Sequence, residues 1–377
     1  METARMGTII VIPPPVGSFD DNARYRVASA IAGHDLWIAS ATPLFPSPEA
    51  FACACLLPAM SAGENLRIDT PVCDRWLENI ARSREIAERW WAYSGGEIAA
   101  ASVHRPSADL GVAMFFTGGV DSFYTLLNAP EKIEAIVFVE GFDVKLTDYA
   151  RLQNVHRWLK AIADSKGVEL ITVQTNMREH PVFRRISWEI SHGSALAAVG
   201  HCLSRRFSRF YIASTELRAP PWGSHPELDE TWSSRGARFV NHAPDVSRLE
   251  KVESIARDPL VGNYLRVCWQ NRSSDLNCGV CEKCLRTQLA LRAVAPEFFS
   301  AQRSFPARSL LKSLNQLDRV DPTHHKQWQD AIDRLESAEL KVAAVRLIHN
   351  KGAWRRTRRG ARRLRQTIAN YLKRPRN

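Results

Sequence analysis

Two short stretches of the 377-residue chain carry residue types and spacings that can do chemistry. The first is Thr117-Gly118-Gly119-Val120-Asp121-Ser122. It follows an apolar run, Leu110 to Phe116, short enough for a buried strand, and precedes Phe123-Tyr124-Thr125-Leu126-Leu127, which reads as a helix start. Two glycines between strand and helix let the backbone approach a phosphate, and the helix start offers unpaired N–H groups and a positive dipole end. Thr117 and Ser122 add hydroxyl donors. A carboxylate here repels phosphate, so Asp121 is expected to hold Mg²⁺, a hard cation that prefers oxygen ligands. The plainer alternative is a tight strand-to-helix turn with a capping Asp. The second stretch is Cys268-x₉-Cys278-x₂-Cys281-x₂-Cys284. Two-residue gaps let consecutive thiolates converge on one ion, and Gly279 eases the turn. Four soft ligands point to a closed, structural, tetrahedral Zn²⁺ site, with an iron–sulfur cluster as the alternative.

The elements that must position these residues are legible as alternating apolar strands and helices from Asp109 onward. Strands are expected over 110–116, 133–139, 168–173 and 209–213. Helices are expected over 149–167, ending at Gly167, and 188–203. This pattern predicts an α/β fold with a mostly parallel sheet covered on both faces. In such sheets ligands sit outside the C-terminal strand ends. One rim would then gather Thr117–Ser122, Glu140–Asp143, Gln174–Asn176 and Ser214–Glu216. The Pro- and Gly-containing stretch from Pro220 to Ser234 reads as a loop. Its His225 and Asp229, with Thr215, are candidate substrate residues; the alternative is a solvated loop pinned by its tryptophans. His192 is a further candidate on the 188–203 helix, or a satisfied structural histidine.

The Thr117–Ser122 loop resembles the Ser-Gly-Gly-x-Asp-Ser loop of the PP-loop ATP pyrophosphatases, with Thr117 in place of the first Ser. Together with the cysteine spacing, it is similar to the 7-cyano-7-deazaguanine synthases of queuosine biosynthesis over roughly residues 110–295. The resemblance implies a Rossmann-like (HUP-type) core that binds ATP through Thr117, Gly118, Gly119, Val120, Asp121 and Ser122. The second strand's end, at Glu140 and Gly141, would then receive the adenine, and Asp121 and Ser122 would be catalytic, with Mg²⁺ on Asp121 and Zn²⁺ on the four cysteines. It further implies adenylation of a carboxylate and attack by ammonia or an amine, with release of AMP and pyrophosphate. Glu140-Gly141-Phe142-Asp143 stands where that family has Asp-Tyr-Gly-Gln, and the first 108 residues have no counterpart there. A tRNA-modifying ATP pyrophosphatase and a non-catalytic nucleotide-binding subunit are the rival readings.

Residues 1–108 read as an α+β unit, 109–300 as the ATP pyrophosphatase core with the zinc segment at 268–284, 301–350 as a helical extension, and 351–377 as a basic tail. In the first unit Arg24–Ile31 and Asp35–Ser40 look like paired strands around Gly33. Helices are expected from Pro48 to Met60, with Phe51, Cys55 and Ala59 on one face, and from an Asp74 cap to Trp91. Cys53, Cys55, Cys73 and Cys202 read as core residues. No apolar run approaches the roughly 18–20 residues needed to span a bilayer, and the first residues carry no signal-peptide core, so a cytoplasmic protein is expected. The formal net charge of +11 is concentrated: thirteen basic residues and no acidic ones lie between Leu340 and Asn377. Without those thirteen, the 51 basic residues fall to 38 against 40 acidic ones, so the body is near neutral. The tail reads as a solvated segment, a nucleic-acid-binding arm or a membrane-surface helix. The remaining expected partners are a small carboxylate with ammonia or an amine, and a second copy of the chain.

Overall fold

The computed structural model describes residues 9–22, 24–215, 221–272, 275–299 and 303–349. Glu216, Pro220 and the basic stretch 351–377, with every reading placed on them, lie outside the described residues. The first part of the chain forms β1 (Ile9–Ile12), β2 (Val16–Phe19), β3 (Tyr25–Ile31), β4 (His34–Ser40), α1 (Pro48–Ser61), β5 (Asn65–Ile68), β6 (Val72–Cys73), α2 (Asp74–Trp91), β7 (Ile98–Ala99) and β8 (Ser102–Val103). Strand and helix then alternate through β9 (Gly111–Phe115), α3 (Val120–Asn128), β10 (Ala135–Glu140), α4 (Tyr149–Lys166), β11 (Glu169–Thr175), α5 (Trp188–Cys202), β12 (Phe207–Ala213), α6 (Pro226–Asp229) and β13 (Arg238–His242). The remainder is helical: α7 (Arg248–Ile255), α8 (Pro259–Tyr264), α9 (Glu282–Val294), α10 (Pro296–Phe299), α11 (Leu310–Gln316), α12 (His325–Arg334) and α13 (Ala338–His349).

The fold is mixed α/β. One eight-stranded sheet has the order β13-β12-β9-β10-β11-β4-β3-β2. Its five strands from β13 to β11 are parallel, and β4 joins β11 antiparallel, so the β3–β4 hairpin around Gly33 extends the same sheet. The chain reverses its direction of travel across the sheet between β9 and β12, which opens a crevice at their C-terminal ends.

Period-two alternation sends β9 and β10 side chains to opposite cores. Ala113, Phe115, Val137 and Val139 face a cluster with α1 and α5, while Met114, Phe116, Ile136 and Phe138 face one with α3, α4, α7 and α9. The second cluster continues through the four thiols into Leu310, Leu314, Trp328 and Ile332, so the C-terminal helices share the core of the cysteine segment. Gly167, left-handed at φ 64°, ends α4 as expected.

Three local expectations are corrected. α1 is buried on all sides from Pro48 to Met60 rather than on one face, because it lies inside the first cluster. The N-cap of α2 is Cys73, with Asp74 in the first turn. The stretch leading to Ser234 is not a solvated loop: α6 and a 3₁₀ turn over Glu230–Trp232 bury Leu228 and Trp232 completely.

At the end of β10 the chain turns through Gly141, with φ 94°. A Cβ there would lie 2.1 Å from the carbonyl oxygen of Thr175. Gly141→Ala is therefore expected to destabilise the protein by about 2–4 kcal/mol, combining backbone strain with displacement of β11's end. Denaturant unfolding checks this; an unchanged midpoint would show that the rim is not held as described.

Candidate functional site

The loop between β9 and α3 is held in an open, left-handed turn. Gly118 has φ 77°, and Gly119 is the extended N-cap of α3 at φ −78°, ψ 169°. The first helical N–H groups, those of Val120, Asp121 and Ser122, precede any helical acceptor and face the crevice end of the sheet. Ser122 is buried and its Oγ donates to the Gly119 carbonyl at 3.0 Å, bracing the turn, while Thr117 is exposed. The Arg266 backbone N–H donates to the Gly118 carbonyl at 2.7 Å. Tyr264 O and Arg266 Cβ lie 3.6 and 3.4 Å from where a Gly118 Cβ would sit, so the loop packs directly on the segment that leads into Cys268.

Asp121 stands among cations that no motif announced. Its Oδ2 accepts from Arg248 Nη1 at 2.7 Å, and Lys251 Nζ is 4.0 Å from its Oδ1. Arg248 is buried, Lys251 is 1 % exposed, and Lys251 Nζ donates to the Ser214 carbonyl at 2.7 Å. Lys283, from the first turn of α9, lies within electrostatic reach of Asp121; burial and the neighbouring Arg248 hold its ammonium below the usual lysine range. Arg248 and Lys251 occupy the first turn of α7, Arg248 inside and Lys251 directly after the capping box formed by Ser247 and Glu250. Cations at a helix N-terminus oppose the dipole, and buried cations cost free energy unless paired. Arg248 and Lys251 are buried against the single carboxylate of Asp121, while the half-buried Lys283 is faced by Asp143 more strongly than by Asp121; the balance beside the open N–H groups is positive, an arrangement suited to a polyanion. Asp121 Oδ1 is itself buried with no hydrogen-bond partner among the described residues.

The neighbouring strand ends carry a second polar group. Glu140 is 2 % exposed; its Oε2 accepts from Gln174 Nε2 at 2.6 Å, and its Oε1 is bonded to His156 Nε2 from α4. Gln174 is in turn bonded by Arg24. Glu140 therefore stands at the rim, as its strand position requires, with both carboxylate oxygens engaged. Asn271 ties this rim to the cysteine segment: it accepts from Arg151 Nη2 at 2.8 Å through its carbonyl and donates to the Asp143 carbonyl at 3.1 Å.

The four cysteines of the second motif converge. Cys268, Cys278, Cys281 and Cys284 are buried, with all four Sγ atoms within 4.8 Å of one another. The Cys268–Cys281 and Cys278–Cys284 sulfur separations are both 3.9 Å. Disulfides need about 2.05 Å, whereas a tetrahedral Zn²⁺ with bonds of about 2.3 Å sets its sulfurs about 3.8 Å apart. The thiol set thus has the dimensions to hold a zinc ion. The Cys281 N–H donates to Cys278 Sγ at 3.3 Å, and Cys281 and Cys284 lie at the N-terminus of α9, whose dipole favours thiolates. Asn277 locks the approach: its Oδ1 accepts from the N–H groups of Val267 at 2.8 Å and Cys268 at 3.0 Å, and its Nδ2 donates to Leu265 O at 2.7 Å and Ser304 O at 2.8 Å.

The other candidates are placed as follows. Thr215 is half-buried just beyond β12. His192 donates through Nδ1 to the Trp188 carbonyl at 3.1 Å, between the rings of Trp188 and Trp222; burial holds its pKa low, keeping it neutral. His225 caps α6, its Nδ1 accepting from the Glu227 N–H at 3.1 Å, with its ring 4.8 Å from that of Trp90. Asp229 is fully buried; its Oδ2 accepts from Ser224 Oγ and Asn241 Nδ2, each at 2.7 Å, while Oδ1 has no hydrogen-bond partner among the described residues. His192, His225 and Asp229 are engaged in local packing, whereas Thr215 directly follows Ser214, whose carbonyl accepts from Lys251. Compared with protein-family models, with curated proteins and with solved structures, the chain matches none.

Two expectations follow from this geometry. Purified protein should carry one equivalent of zinc, and Cys278→Ser should lose it together with several kcal/mol of stability, since four-thiolate zinc contributes about 10 kcal/mol in small peptides. Metal analysis and thermal denaturation test this; a metal-free native protein of undiminished stability contradicts it. Burial raises Asp229 to about 7 from 3.8. An acid whose folded pKa is raised binds protons more tightly when folded, so its ionisation costs stability as pH rises from about 4 to about 7. Asp229→Asn should flatten the decline in unfolding free energy across that window; an unchanged slope would show that Asp229 does not titrate there.

Proposed function

We propose that the chain is an ATP-dependent enzyme of the PP-loop class, with a Rossmann-like (HUP-type) core, that forms AMP and pyrophosphate. The observation that carries this reading is the meeting of the Gly118–Gly119 turn and the α3 N-terminus with buried Arg248 and Lys251 at the crevice between β9 and β12. A triphosphate supplies the negative charge this cluster lacks. Asp121 Oδ1, buried, 4.0 Å from Lys251 Nζ and without a hydrogen-bond partner among the described residues, is the oxygen that would hold Mg²⁺. Because the surroundings are cationic, the metal would enter with the nucleotide rather than alone. Bound there, Mg²⁺ would supply charge neutralisation of the phosphates.

The chain's own residues account for the rest. The N–H groups of Val120, Asp121 and Ser122 bind phosphate oxygens, and Arg248, Lys251 and Lys283 stabilise the charge that develops on departing pyrophosphate. A substrate carboxylate oxygen attacks the α-phosphorus, the bond to the β-phosphate oxygen breaks, and the acyl adenylate and pyrophosphate result. Ammonia or an amine then attacks the acyl carbon, loses a proton, and releases AMP. The 7-cyano-7-deazaguanine synthases, which this chain resembles in its loop, apart from Thr117, and in its four-cysteine spacing, are the proposed likeness for the substrate: a planar heteroaromatic carboxylate.

Incubation with MgATP, deazapurine and purine carboxylates and ammonium should yield AMP and pyrophosphate in step with a new amide. Appearance of ADP and phosphate, or no carboxylate-dependent turnover, would refute the reading. Asp121→Asn, which keeps an oxygen for Arg248, should lower turnover about 10²–10³-fold with the fold intact, and Arg248→Ala by a comparable factor.

A further inference from the structure

A cleft of about 530 Å³ opens at the other end of the parallel strands, where Asp109 precedes β9, Arg209 lies near the start of β12 and Arg238 begins β13. Arg82 of α2, with Arg235 and Glu230 of the segment before β13, also lines the cleft. β9 spans five residues, so at about 3.3 Å per residue the cleft lies roughly 16 Å from the Thr117–Ser122 loop. Its volume falls within the usual range of small-ligand sites, about 300–1,000 Å³.

The walls are fixed by bonds between elements. Arg235 forks onto Asp74, with Nε donating to Oδ1 at 2.8 Å and Nη2 to Oδ2 at 3.1 Å. Asn79 Nδ2 donates to the Ser233 carbonyl at 2.9 Å, and the hydroxyls of Ser83 and Thr231 meet at 2.5 Å. Arg209 is bonded to Glu131. Against these committed groups, Arg82, Arg238, Asp109 and Glu230 make no side-chain hydrogen bond or ion pair with a described residue. Two uncommitted guanidiniums offer forked donors that match phosphate, and two uncommitted carboxylates accept from hydroxyls.

We propose that this cleft is a second ligand site, separate from the phosphate loop, for a phosphorylated sugar. Arg82 and Arg238 take the phosphate, and Asp109 and Glu230 take the sugar hydroxyls. Nucleotides and free sugar phosphates share this chemistry. The site does not depend on the ATP reading, since it shares no residue with the cation cluster.

Titration calorimetry with ribose 5-phosphate, inorganic phosphate and AMP tests the assignment on the full chain. Ribose 5-phosphate should bind, and the R82A/R238A double variant should weaken it about tenfold or more, the two guanidinium–phosphate contacts being lost. Both arginines are solvent-exposed, so the variant should keep the native melting temperature. Glu230→Gln should weaken ribose 5-phosphate about threefold and leave inorganic phosphate unchanged. Arg248→Ala should leave ribose 5-phosphate binding intact. AMP binding that survives R82A/R238A but not Arg248→Ala belongs to the loop; AMP binding lost in R82A/R238A places a nucleotide in the cleft. No binding of ribose 5-phosphate, binding unaffected by R82A/R238A, or binding lost in Arg248→Ala overturns the proposal.

Discussion

One backbone hydrogen bond connects the two chemical motifs of this chain. The Arg266 N–H reaches the Gly118 carbonyl at 2.7 Å, so the turn that opens α3 is braced by the residue two positions before the first thiol, Cys268. Asn277 fixes the same segment by receiving Val267 and Cys268 and donating to Leu265 and Ser304. A metal on the four thiols would therefore act on the loop without touching it, by holding Leu265–Cys268 in one conformation. Removing the ion would free a length of chain whose other end carries part of the loop's support.

The same segment organises the charge. α9 begins at the third thiol and brings Lys283 toward Asp121, while α7 brings Arg248 and Lys251. Two buried cations on one carboxylate, with Lys283 between Asp121 and Asp143 beside them, is an unfavourable arrangement in a chain whose body is otherwise near neutral. Its persistence beside free helix N–H groups is best understood as complementarity to an anion that arrives later. In the proposed reading Asp121 would serve two roles: it satisfies Arg248 before the anion arrives, and its Oδ1, 4.0 Å from Lys251 Nζ, would meet the metal that accompanies the anion.

Much of this was legible in the sequence, for identifiable reasons. β9, β10 and β12 are mostly buried apolar runs and β11 alternates buried with half-buried residues, so their positions followed from hydrophobicity, within about two residues. β13 was not, because Arg238, Asn241 and His242 make an edge strand look polar. The cysteine convergence followed from spacing. Arg248, Lys251 and Lys283 lay more than a hundred positions from Asp121 and shared no motif with it; only their topology brings them there. A faint local signal existed: Ser247-x-x-Glu250 announces a helix start, and two cations in that first turn run against the dipole. The Pro- and Gly-containing stretch before Ser234 misled because its composition was polar on average, while Leu228 and Trp232 anchor it in the core.

The dependence of the Thr117–Ser122 turn on the thiol site is the point from which the rest follows. It is tested by measuring MgATP affinity before and after mild chelation of the metal, with circular dichroism confirming that the sheet persists, and again after zinc is restored. Loss of affinity on removal and its return with zinc is the expected result. Unchanged affinity in a folded, zinc-free protein would contradict the account.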